Sequence, residues 1–119
     1  MARVAEFAQF SDSAIDLRIG GDLDRTLSKS LDATPASGHG ALLQWMVRRE
    51  AAGSVTYEVK VNGNAINTFT VTGADWVGVH EAISTDDIHL GNNTVEFRVT
   101  GGTATLSFSD VILFYRQDT

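Results

Sequence analysis

The groups with which this chain could attempt nucleophilic or acid–base chemistry are three histidines, His39, His80 and His89, and a scatter of serines. A Ser-His-acid triad needs a nucleophile held against a base and an orienting carboxylate. None of the serines stands in a G-x-S-x-G elbow. His80-Glu81 opens like a zinc-binding H-E-x-x-H pattern, but the position four residues after His80 is Ser84. Asp86 and Asp87 are adjacent, whereas the paired carboxylates of a glycoside hydrolase face each other across a cleft. Gly20-Gly21 and Gly101-Gly102 lack the following helix that a phosphate loop requires. With no cysteine in the chain, thiolate chemistry and disulfides are excluded. The expectation is a protein that is not an enzyme and requires no cofactor.

Binding chemistry is better represented. In GADWVGVHEAI, an extended backbone sends Trp76, Gly78 and His80 to one side and Val77 and Val79 to the other. A glycine two positions from a tryptophan leaves the indole face uncovered, and a bare ring can stack on the apolar face of a sugar. Trp76 is then the platform, with Asp75, His80 and Glu81 as partners for sugar hydroxyls. The competing reading has Trp76 closing one end of the core. Trp45, among apolar neighbours, reads as core, and Tyr115 as a rim residue whose hydroxyl reaches water.

Strands must position these groups. Glycine is frequent (11) and proline nearly absent (1), and the glycines punctuate short apolar runs. In SVTYEVKV, residues Val55, Tyr57, Val59 and Val61 alternate with Thr56, Glu58 and Lys60, and Asn62-Gly63-Asn64 supplies a tight turn into a return strand, 65–71. Strands are expected over 3–10, 15–19 and 26–31, although Leu23, Leu27 and Leu31 also have helical spacing. Residues 32–39 read as a loop. ALLQWMVRRE, apolar on both sides, reads as a central strand. DIHLGNNTVEFRVTGG reads as a second hairpin turning at Gly91-Asn92-Asn93. In the final strand, Leu106 and Phe108 share parity with Asp110, so a bulge near Ser109-Asp110 is expected to keep the carboxylate out of the core.

The 119 residues suit a single domain, and a hydrophobic content of 43% suffices for its core. A net charge of −6 argues against a nucleic-acid partner, which requires a basic stripe. No apolar stretch approaches the ~20 residues of a membrane-spanning helix, so membrane insertion is not expected. The pattern predicts an all-β fold, a two-sheet antiparallel jelly-roll β-sandwich over residues 1–119.

The order of these pieces resembles the galactose-binding-like jelly roll of carbohydrate-binding modules, particularly families 6 and 35. The resemblance runs through VAEF (4–7), GGDLDRTLSKSLDATPASGHGALLQWMVRR (20–49), VNGNAINTFTVTGADWVGV (61–79), LGNNTVEFRV (90–99) and SFSDVILFY (107–115). It implies a glycan ligand. It also implies a structural calcium, whose ligands by position would be Glu6 and Asp110. Calcium takes six to eight oxygens, so two carboxylates make only part of a site. The aromatic residues such modules carry after their Gly-Asp are replaced here by Leu23, Asp24 and Arg25, and GGTAT lacks their sugar-contacting asparagine. Two functions follow as expectations: a lectin-like carbohydrate-binding module, or a structural subunit forming a homo-oligomer through a sheet face or edge.

Overall fold

A computed structural model describes residues 3–118. Among these, nine strands follow one another: β1 (Arg3–Ser11), β2 (Ile15–Leu17), β3 (Asp24–Leu31), β4 (Ala41–Glu50), β5 (Val55–Val61), β6 (Asn64–Val71), β7 (Val77–Ile83), β8 (Gly91–Gly102) and β9 (Thr105–Asp118). They form two antiparallel sheets. One has the order β1-β9-β4-β7 with short β2 also paired to β9, and the other the order β3-β8-β5-β6. The fold is a β-sandwich.

Alternation drives the layering. On β4, Leu43, Trp45 and Val47 are buried, and on β5 so are Val55, Tyr57, Val59 and Val61. Trp45 packs edge-on against Phe69 (5.3 Å between ring centroids) and Phe97 (5.5 Å), while Phe97 stacks on Phe108 at 4.1 Å. Its indole Nε1–H donates to the Tyr57 hydroxyl at 2.9 Å, a buried polar link between the two sheets. The β5–β6 turn has Asn62 at φ 50° and Gly63 at φ 85°. Two successive positive φ values are what an Asn-Gly hairpin turn supplies.

The β9 bulge is present. Register with β4 shifts between Gln44 and Met46, and Asp110 sits at φ 52°. Leu106 and Phe108 face the core before it, and Val111, Leu113 and Tyr115 after it. The extra residue therefore keeps the oily face inward while turning the carboxylate aside.

The strand expected over 26–31 is present and begins at Asp24: each residue pairs with β8 from Asp24↔Arg98 to Leu31↔Gly91, and sheet pairing overrides the leucine spacing. Two expectations need correction. Gly91-Asn92-Asn93 is not a turn but the start of β8. The chain reverses earlier, through a 3-10 turn at Thr85–Asp87 capped by the Ser84 hydroxyl, which accepts from the Asp86 N–H. Asn93 is buried, donating to the carbonyls of His89 (2.7 Å) and Gly91 (2.9 Å) and accepting from the His89 N–H and the Asn62 amide. Tyr115 is likewise buried rather than at the rim. Burial pushes its hydroxyl pKa up, with help from the charges of Glu6 and Asp32.

Candidate functional site

β7 is the edge strand of its sheet, and its pairing with β4 is unbroken from Ala41↔Ile83 to Val47↔Val77. Directly opposed residues share a face. Gly78 lies beside Met46 and His80 beside Gln44, so both belong to the outer face, away from buried Leu43, Trp45 and Val47. Trp76, one residue before the strand, keeps this parity. The residue is 36% exposed, and the Arg48 guanidinium lies 4.8 Å from its ring centroid. Arg48 is held in turn by Glu50, at 2.7 Å. Trp76 therefore does not close the core: it is a surface ring braced by a cation.

Arg49 fixes the turn that carries it. Its Nε donates to the Thr72 carbonyl at 2.7 Å, its Nη1 to Ala51 at 2.6 Å, and its backbone N–H to Gly73 at 3.0 Å. At Gly78 an added Cβ would meet only the Met46 sulfur, at an ordinary 3.6 Å. Packing does not demand a glycine there. What its absent side chain supplies is a shallow floor between Trp76 and His80.

Asp75 and Glu81 sit elsewhere. Asp75 lines a groove of about 350 Å³ between the sheets at the β6/β7 edge, together with Val77, Val79, Phe69 and Tyr57. Glu81, beside inward-facing Leu43, accepts a hydrogen bond from Asn67 on β6 at 3.4 Å. Its charge also reaches the Tyr57 hydroxyl, whose pKa is pushed up to about 12, chiefly by burial. The structure thus places Trp76 and His80 on the same outer face, Asp75 in the edge groove, and Glu81 further along β7 against Asn67.

The outer face holds more than these residues. Phe7, Phe114 and Leu42 occupy one row across β1, β9 and β4, opposite Ala82 of β7. Phe7 is 65% exposed and stands 6.5 Å from Phe114, centroid to centroid. Arg48 lies six positions after Leu42 on β4, which puts this row roughly 20 Å from Trp76 along the strands. Gln44 and His80 lie between. The outer face of the other sheet is polar instead: the Thr56 and Thr70 hydroxyls pair at 3.0 Å, and Lys60 meets Glu58 at 3.5 Å. Gln44, Arg48, Phe7 and Phe114 were not among the residues expected to form a site. Their only sequence signal was the second apolar face of β4, with Leu42 and Met46.

Glu6 and Asp110 do not meet. Glu6 pairs with Tyr115, and its carboxylate accepts from Gln117 at 3.1 Å. Asp110 lies five residues before Tyr115 on β9, on the order of 15 Å away, and accepts from the Ser109 hydroxyl at 3.1 Å. Among the described residues, no group of three or more His, Cys, Asp or Glu side chains is placed to hold a metal ion.

This fold is one that carbohydrate-binding modules use. The chain is similar to the CBM36-1 domain of a multidomain xylanase from the hindgut metagenome of Trinervitermes trinervoides, with a TM-score of 0.61 and 14% identity over 93% of this chain and 96% of that one. It is also similar to part of a β-porphyranase of glycoside hydrolase family 86 from the human gut bacterium Bacteroides plebeius, with a TM-score of 0.61 and 18% identity over 98% of this chain. A third similar structure is dimeric latent PorU from Porphyromonas gingivalis, with a TM-score of 0.65 and 10% identity over 99% of this chain. The chain spans 21% of the porphyranase structure and 13% of PorU. No protein-family model matches the sequence, and no curated protein matches it.

Proposed function

We propose that this chain is a non-catalytic carbohydrate-binding module that takes a glycan on the outer face of its β1-β9-β4-β7 sheet. The observation that carries this reading is Trp76, an exposed indole braced by Arg48 beside the bare backbone of Gly78. A sugar's apolar face would stack on the free side of the ring. His80 and Gln44, opposite each other one row beyond Gly78, would exchange hydrogen bonds with its hydroxyls. Asp75 lines the edge groove and Glu81 accepts from Asn67 of β6, so neither is part of this contact. The similar folds in a xylanase and a β-porphyranase support the ligand class. A shallow, open surface of this kind gives weak single-site affinity that gains strength by multivalency.

A glycan array probed with the wild-type chain and with Trp76→Ala tests the proposal. The wild type is expected to bind a defined set of polysaccharides, and the variant to lose roughly tenfold or more in affinity, ~1.4 kcal/mol. Equal binding by both proteins, or no binding by the wild type, contradicts it.

A further inference from the structure

Exposed apolar residues are not spread evenly over this molecule. Phe7, Leu42, Trp76 and Phe114 all stay exposed on the outer face of the β1-β9-β4-β7 sheet. Ile19, Leu23 and Leu90, exposed too, stand outside the strands, and Val77 lines the groove. Single apolar residues on a surface need no explanation, whereas a set gathered on one face marks a contact.

The set is banded along β4. Trp76 over Arg48 forms one end, and Gly78 beside Met46 follows. Next comes a row in which Gln9, Gln44 and His80 stand level with Ile112. The far end is Phe7 and Phe114, two rings tilted by 42° to each other, with Leu42 beside them. An apolar protein surface laid over this face would strand the amides and the imidazole in the middle row. A sugar chain would not, because it alternates apolar ring faces with hydroxyl edges.

We propose that this face takes the interior of a linear polysaccharide laid along β4, with Trp76 under one sugar and Phe7 and Phe114 under another. The proposal rests on the glycan reading of Trp76 and names its ligand class: an extended chain gripped between its ends rather than a terminal sugar. The roughly 20 Å between the two aromatic platforms is the span of about four linked pyranoses, too long for one or two. Small residues follow at both ends of the track. Beyond Phe114 a depression of about 290 Å³ is floored by Ala5 and Gly40, and an added Cβ at Gly40 would meet nothing. Beyond Glu50, Ala51, Ala52 and Gly53 are exposed. A chain can therefore run on past either platform.

NMR titration with oligosaccharides of two, four and six units, cut from the polysaccharide with the strongest array signal, tests this. Affinity for the wild type is expected to rise from the two-unit to the six-unit sugar by about fivefold or more, ~1 kcal/mol. Phe7→Ala is expected to abolish that gain and to leave two-unit binding unchanged, while Trp76→Ala weakens every length. Borohydride reduction of the six-unit sugar, which opens only its terminal ring, is expected to change nothing. In the wild type alone, the six-unit sugar is expected to move the Phe7 and Phe114 amides and the Trp76 indole with one common midpoint. Trp76-dependent binding that does not strengthen with length overturns the extended track and leaves the Trp76 site standing. So does a gain that Phe7→Ala retains, a loss on end reduction, or unmoved Phe7 and Phe114 amides. No binding at any length removes the Trp76 site and the track together.

Discussion

Replacing Tyr57 by phenylalanine removes one oxygen from the centre of the sandwich and leaves the Trp45 indole N–H, 0% exposed, without its acceptor. Orphaning a buried donor costs ~1–3 kcal/mol, or roughly 4–12 °C in melting temperature for a domain of this size. The same hydroxyl has its pKa raised from 10.0 to about 12, first by burial, against the pull of the indole hydrogen bond, and with a further push from Glu81. The folded chain thus holds the phenolic proton more tightly than the unfolded chain. That contribution is complete below pH 10 and is lost as pH rises to about 12, amounting to ~3 kcal/mol. Urea unfolding of both proteins, from neutral pH to about pH 12, is the assay. The wild type is expected to be more stable at neutral pH, and its advantage to shrink above pH 10 and vanish or invert near 12. Tyr115, also raised, is common to both proteins and cancels. A stability gap that stays constant across this range would refute the buried link.

Asn93→Ala is expected to cost ~2–4 kcal/mol in the same assay, because it strips hydrogen bonds from His89, Gly91 and Asn62 at a buried position. Gly102→Ala is expected to lose at least ~2 kcal/mol: φ is 95°, and a Cβ would overlap the Ser54 carbonyl and lie 2.8 Å from the Val55 Cα. Gly63→Ala, at φ 85° but with open space around it, is expected to lose only ~1 kcal/mol, the backbone term alone. Equal losses at the two glycines would contradict the packing described around Gly102.

Much of the sandwich was legible because its signals are local. The β5–β6 hairpin follows from alternation and Asn-Gly, and the β9 bulge from the parity clash at Asp110. The misread segments are those where distant partners decide. Gly91-Asn92-Asn93 has turn composition, yet the Asn93 side chain satisfies backbone groups near it and the strand starts there. The strand over 26–31 was read correctly, but Leu23, Leu27 and Leu31 also have helical spacing, and only pairing with β8 decides between the two. The site was half legible. Alternation alone put Trp76, Gly78 and His80 on one side, and by the same rule Asp75 and Glu81 belonged on the other. Arg48 over Trp76 and Phe7 beside Phe114 depend on strand order, which no local pattern encodes.

The glycan-binding face is tested most directly by following amide and indole NMR resonances during titration with the polysaccharide that gives the strongest array signal. The account predicts that the Trp76 indole N–H and the amides of Gly78, His80 and Gln44 move together, while the buried Trp45 indole stays in place. Shifts centred on the threonine-rich face of the opposite sheet, with the Trp76 indole unmoved, would contradict it.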